Sequence, residues 1–223
     1  MENSQIYAVV DHTLLAPTST WNGIEALCKE AIHYACASVC IPPSFVKPVY
    51  DKYGDSLVIC TVIGFPLGYS CADAKLSETR QAISDGAREL DTVINITDAK
   101  AGNFDKITSE LRRLKQAAGD NILKVIIECC YLNEAEKISL CRCVTESGAE
   151  FIKTSTGFGT GGAIIEDIRL FKQHIGEGVQ MKAAGGMRTR EDFVSFINEG
   201  CTRLGTSSAV KVLEEEGGSS EAY

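Results

Sequence analysis

The chain is poor in the residues and runs that would place it in several large classes. It has three histidines and, among ten cysteines, no C-x-x-C spacing, so a structural zinc site, which wants two well-spaced ligand pairs, finds no support. The cysteines sit singly in apolar runs (Cys28, Cys36, Cys40, Cys60) or in Cys129-Cys130 and Cys141-x-Cys143, and they read as reduced core thiols. No apolar run approaches the roughly 18 residues that span a bilayer, and Met1 to Tyr7 lacks the basic-then-apolar pattern of a leader. Basic residues are outnumbered 22 to 30, for a net charge of -8, which opposes binding to nucleic acid or to anionic membranes. These absences point to a soluble, cytoplasmic chain. An anionic small substrate would need a local positive pocket.

What is present is an alternation. β-branched runs at Tyr7-Asp11, Ala37-Ile41, Leu57-Ile63, Glu89-Ile94, Ile122-Ile127, Phe151-Thr154, Val179-Ala183 and Arg203-Gly205 are separated by helical patterns such as Ile24, Leu27, Cys28, Ala31 and Ile107, Leu111, Leu114. Gly-containing breaks, as in Ser147-Gly-Ala-Glu-Phe, launch the next strand. Eight strand-helix units in 223 residues fit a single-domain α/β chain folded as a (β/α)8 TIM barrel. An open doubly wound sheet would show a G-x-G-x-x-G turn after its first strand, and none is there. The barrel is expected over residues 1–213 and a flexible Gly/Ser tail over 214–223.

In such a barrel, chemistry belongs at the C-terminal ends of the strands. The polar residues there are Asp11, Cys40, Asp91, Asn95, Glu128, Lys153 and Lys182. Lys153, in F-I-K-T-S-T-G-F, stands out because a lysine inside a doubly covered strand is costly without a task. Lys182 lies on the neighbouring strand, so two ammonium groups are expected to face each other. A lysine of pKa about 10.4 is neutral in about 1 molecule in 2,500 at pH 7, and bringing it to about 7 takes about 4.6 kcal/mol. A unit charge about 4 Å away at an effective dielectric of about 20 supplies about 4 kcal/mol, so one cationic neighbour nearly suffices to free a nucleophilic amine. Asp91 then serves as a proton relay with Lys182, and Asp11 orients the substrate or the lysines. The turns Ser155-Thr156-Gly157, Ala184-Gly185-Gly186 and Gly205-Thr206-Ser207-Ser208 expose backbone N–H groups that suit a phosphate. Cys40, at the end of the second strand, is either a packed core thiol or, if exposed at the pocket, a group that α,β-unsaturated aldehydes would attack.

With these motifs assembled, V-C-I-P-P (Val39 to Pro43), V-I-G-F-P (Val62 to Pro66), E-L-D-T-V-I-N-I (Glu89 to Ile96), K-V-I-I-E (Lys124 to Glu128), K-T-S-T-G-F-G-T-G-G-A from Lys153 and K-A-A-G-G-M-R-T from Lys182, the chain resembles the deoxyribose-phosphate aldolase family from Asp11 to Ser208. The resemblance implies a class I aldolase that reversibly cleaves 2-deoxy-D-ribose 5-phosphate to D-glyceraldehyde 3-phosphate and acetaldehyde in deoxyribonucleoside catabolism. It implies Lys153 as the Schiff-base lysine and Asp91 and Lys182 as proton-relay partners. Thr156, Gly157, Gly185, Gly186, Ser207 and Ser208, with Asp11 and Cys40, would meet the substrate. No metal and no cofactor are implied, the partner is a phosphorylated sugar, and a homodimer is the assembly to test for. Leu67, Thr97 and Cys129-Cys130 depart from the family pattern, where histidine, glycine and threonine are usual. The competing readings are a sugar-phosphate isomerase or epimerase with a carboxylate or histidine base, and a non-catalytic binding barrel. Tyr223 ends a ten-residue tail that extends about 33 Å against roughly 10 Å of preceding helix, so its phenol either reaches the site or ends a disordered terminus; the resemblance implies that a phenol at the site helps move a proton between imine and enamine.

Overall fold

A computed structural model describes residues 1–217. Its eight strands, β1 (Val10–Thr13), β2 (Ser38–Ile41), β3 (Ile59–Ile63), β4 (Glu89–Val93), β5 (Ile122–Ile126), β6 (Phe151–Lys153), β7 (Gln180–Ala184) and β8 (Cys201–Thr206), pair in parallel and in sequence order into a closed barrel. The principal outer helices are α2 (Trp21–His33), α3 (Val46–Tyr53), α4 (Ala72–Ser84), α6 (Phe104–Ala118), α7 (Glu134–Ser147), α8 (Ile165–His174), α9 (Arg190–Glu199) and α10 (Ala209–Gly217). Two short helices, α1 (Asn3–Tyr7) and α5 (Ile96–Lys100), complete the described set.

Side chains alternate across each strand, and the two faces here differ in kind. Val39, Ile41, Ile59, Ile63, Leu90, Leu123, Val125, Ile152 and Leu204 face out and join Ile24, Leu27, Leu111, Leu114, Phe171 and Phe193 of the helices in one apolar shell. Each such side chain is worth about 1.5–3 kcal/mol when fully buried. The inward face carries charge where barrels of this type usually pack branched apolar residues. His12, between inward Asp11 and Thr13, points outward and bonds Glu30 of α2 at 2.7 Å.

Local signals set the helix ends. Thr20 caps α2 by accepting from Gly23 N, and Asn133 with Glu136 and Thr189 with Asp192 form reciprocal boxes at α7 and α9. The first strand lies later than the apolar run at Tyr7-Asp11 suggests. Asn3–Tyr7 instead forms a helical turn capped by Glu2 and Gln5, and it buries Ile6 and Tyr7. At the other end α10 continues through Gly217, into residues assigned above to the tail, and Tyr7 Oη bonds Glu214 at 3.1 Å. Tyr223 lies outside the described residues.

The loop after β3 is seated on the end of β4 at Gly68. Its φ is +72°, and a Cβ there would sit 1.8 Å from the carbonyl oxygen of Ile94, so neither conformation nor space admits a side chain. Gly68→Ala should lower the urea unfolding free energy by about 2–4 kcal/mol with an unchanged m value. An unchanged midpoint would show that the loop is not fixed there.

Candidate active site

Strand register brings the inward charges together. Lys153 is the register partner of Lys182, Lys182 of Arg203, and Asp91 of Lys124. Asp91 is the centre of the cluster. Its Oδ2 accepts from Lys153 Nζ and Lys182 Nζ, each at 2.7 Å, and its Oδ1 from Lys124 Nζ at 2.9 Å and Cys60 Sγ at 3.2 Å. Asp11 accepts from Ser38 Oγ at 2.8 Å, from Arg203 at 2.6 Å and from Lys182. Glu89 takes a two-point bond from Arg203, both arms 2.7 Å, and also pairs with Lys124 at 2.7 Å. Four cations, Lys124, Lys153, Lys182 and Arg203, thus meet three carboxylates, Asp11, Glu89 and Asp91. Among the described residues, one positive charge is unmatched.

The groups hold their charges because each desolvated ion has a partner. Burial alone would raise the Asp91 and Asp11 carboxyls, yet the lysines around them, joined at Asp11 by Arg203, bring both well below the ordinary carboxylate range. Burial alone would lower Lys182 and Lys124, yet Asp11 and Asp91 keep both above the usual lysine value. This revises the two-lysine picture drawn from the sequence. Lys153 and Lys182 do meet, but across a shared carboxylate oxygen that offsets much of their repulsion.

Above the cluster a cavity of about 390 Å³ opens at the strand ends. Lys153 reaches into it, while Asp91, Asp11 and Lys182 lie beneath, fully buried. Leu14, Leu15 and Pro17 form an apolar wall, and Gly157, Gly185, Gly186, Ser207 and Ser208 line the remainder. The loops after β6 and β7 are pressed together, since a Cβ on Gly162 would come 2.5 Å from the Gly185 backbone. Ala163 N–H donates to the carbonyls of Ala184 and Gly185 at 3.1 Å. Thr156 also lines the cavity, but its hydroxyl donates to Glu128.

Cys40 is placed differently from the expectation. It is 0% exposed, packed with Cys60 and Val62 behind Leu15 and Phe65, and it is not on the cavity wall. The neighbouring Cys60 thiol shifts Cys40 below the ordinary thiol value, while burial pushes Cys60 up. Cys40, Cys60 and Asp91 place donor atoms within 4.8 Å of one another. The Asp91 oxygens are already held by ammonium groups, so the set fits an ion-pair cluster better than a cation site. Of the departures, Leu67 and Thr97 are exposed, and Cys129 is buried with its N–H on Thr154 O at 2.8 Å.

Sequence reasoning missed Lys124, Glu89, Arg203 and Cys60. A signal for two of them was available, because Glu89 lies two residues before Asp91 on the same face of β4 and Arg203 two before Gly205 in β8.

Comparison with known proteins shows which family the chain belongs to. A family model described as DeoC/LacD family aldolase matches residues 6–210. The chain is 58% identical over 216 residues to a deoxyribose-phosphate aldolase of Clostridium botulinum, covering 97% of this chain and 98% of the relative. It is 50% identical over 223 residues to that of Streptococcus pyogenes serotype M28, covering both completely. Among solved structures, the tetrameric deoxyribose phosphate aldolase of Aeropyrum pernix superposes with a TM-score of 0.87 at 28% identity, covering 97% of this chain and 92% of that one.

The cluster ties stability to acid. Asp11 and Asp91 have depressed values in the folded state, so their contribution is complete above the unfolded value of about 4 and is lost as pH falls through the folded values. Urea denaturation from about pH 3 to 7 should show a steep acid decline in the native chain and a shallower one in Asp11→Asn, which is also less stable at neutral pH. Parallel curves would remove Asp11 from this role.

Proposed function

Because the chain belongs to the DeoC/LacD family of aldolases, we propose that this carbon-carbon lyase acts through a Schiff base on Lys153 and cleaves 2-deoxy-D-ribose 5-phosphate to D-glyceraldehyde 3-phosphate and acetaldehyde. The observation that carries the reading is the uneven sharing of charge among the buried lysines. Lys124 contacts Asp11, Glu89 and Asp91, and Lys182 contacts Asp11 and Asp91. Among the described residues, Lys153 contacts Asp91 alone and is the lysine that lines the cavity. Lys153 is thus the amine of the cluster with the fewest carboxylate contacts and the one placed to reach a substrate. Its free amine is the nucleophile the reaction needs.

The steps follow from that assignment. Lys153 Nζ adds to C1 of the open-chain sugar, and loss of water gives the iminium. The C3 hydroxyl gives up its proton to water in the cavity, the C2–C3 bond breaks, and its electron pair moves into the C1–C2 enamine while D-glyceraldehyde 3-phosphate leaves. Protonation at C2 restores an iminium, which water hydrolyses to acetaldehyde and free Lys153. Lys182, kept protonated by Asp11 and Asp91, is the proton donor beside this nitrogen, and Asp91 Oδ2, touching both, is the path between them. The Gly157, Gly185, Gly186, Ser207 and Ser208 backbone suits the phosphate, with Ser208 preceding α10. The leucine wall accommodates the unsubstituted carbons. A carboxylate-base isomerase fits less well, because Asp11, Glu89 and Asp91 are held by cations and Glu128 is taken up by Thr156.

A phosphorylated sugar is therefore the small-molecule partner, and no cofactor has a step to perform. No described helix is long and apolar enough to cross a membrane, and we place the reaction in the cytoplasm as part of deoxyribonucleoside breakdown.

Lys153→Ala should leave the fold intact and retain less than about a hundredth of the cleavage activity. Borohydride reduction with acetaldehyde should add an ethyl group to Lys153 in the native chain, read by peptide mass, and add none in the variant. Labelling of another lysine would overturn the assignment. Lys182→Leu removes a cation near Lys153, so the pH dependence of imine formation should move alkaline as turnover falls, and an unmoved profile would dismiss Lys182 from the relay.

A further inference from the structure

Glu128, at the end of β5, takes part in none of these steps, yet it is built with unusual care. It is 2% exposed and lies in the left-handed backbone region, φ 55° and ψ 66°, a conformation that a side-chain-bearing residue keeps only when its surroundings hold it there. Its carboxylate accepts Thr156 N–H at 3.1 Å on one oxygen and 3.3 Å on the other, and the Thr156 hydroxyl donates to the second. Thr156 Oγ1 accepts in turn from Phe158 N–H at 3.0 Å. Beyond Thr156 the loop passes close over the same group, since a Cβ on Gly159 would stand 3.1 Å from the Glu128 carboxylate and 2.9 Å from Cys130 Sγ. The side chain thus continues the β5–β6 ladder after the strands end.

Gly157, between the two tethered residues, lines the cavity. Its φ is +86° and, among the described residues, nothing lies within 4 Å of where a Cβ would be, so packing by those residues does not orient it. Its neighbours do, and both answer to Glu128. We propose that Glu128 is a positioning residue that sets the Thr156–Gly159 loop, and with it the Gly157 amide, for the phosphate end of the substrate. The proposal rests on the functional reading above for the identity of that substrate. A carboxylate in contact with a phosphate would repel it, and Glu128 avoids this by directing its lone pairs at Thr156, so it acts through the loop.

Glu128→Gln keeps the volume, removes the charge and replaces one acceptor oxygen by a donor. The KM for 2-deoxyribose 5-phosphate should rise about tenfold while kcat changes less than about twofold. The KM for unphosphorylated 2-deoxyribose should stay put, and borohydride trapping of acetaldehyde on Lys153 should proceed at the native rate. Hydrogen exchange at the Thr156 and Phe158 amides should accelerate. Thr156→Val should give a similar rise in KM, and the double variant little more than either alone, because both cut one path. A fall in kcat at constant KM, additive effects, or unchanged amide exchange would each overturn the proposal. A native chain that neither cleaves the sugar phosphate nor traps acetaldehyde rejects the functional reading instead, and the exchange rates in Glu128→Gln still decide whether the carboxylate holds the loop.

Discussion

Charge compensation around Asp91 is the constraint on which the interior of this barrel depends. Three ammonium groups and a thiol converge on its two oxygens, and for Lys153 it is the one carboxylate partner among the described residues. The carboxylate needs them equally, because an isolated buried anion would take up a proton. The lumen therefore behaves as one ionic unit whose members hold each other in place, and its least-partnered lysine, Lys153, is the one that lines the cavity. In the proposed reaction, nucleophile and scaffold come from the same arithmetic of partners.

The outer shell works by a different rule and tolerates different changes. Branched apolar residues on the far faces of the strands meet the helices through area and volume, where shape matters more than partner identity. The inner cluster works through specific pairs. That division explains why a strand such as Glu89–Val93 can carry Leu90 and Asp91 side by side, each fully buried, each in a medium that suits it.

The strand series, the barrel and Lys153 were legible in the sequence because period-two runs, Gly breaks and an intrastrand lysine are local signals. Asp91, Asp11 and Lys182 were legible as strand-end polar residues, but their bonds were not. Which side chains meet across a barrel depends on register and closure, so the two-lysine argument omitted the carboxylate between them and left out Lys124 and Arg203. Cys40 shows the opposite error: its place near a strand end suggested access, while Leu15 and Phe65 cover it. The first strand moved because the Tyr7 run is apolar for helix burial rather than for pairing. Glu128 was visible as a strand-end acid, and only the backbone conformation and the Thr156 contacts show which way it works.

The ring of ion pairs has a bearing on how the chain is assembled. Asp11 comes from β1, and its cationic partners come from β5, β7 and β8, the nearest of them more than a hundred residues later. During synthesis the first half of the barrel holds carboxylates whose counterions have not been made, and the second half holds the complementary excess. Neither half has a neutral interior by itself, so a half-barrel has no comfortable resting state and closure of β1 on β8 completes the electrostatics and the sheet together. The lumen in this way discourages stable fragments and favours all-or-none folding.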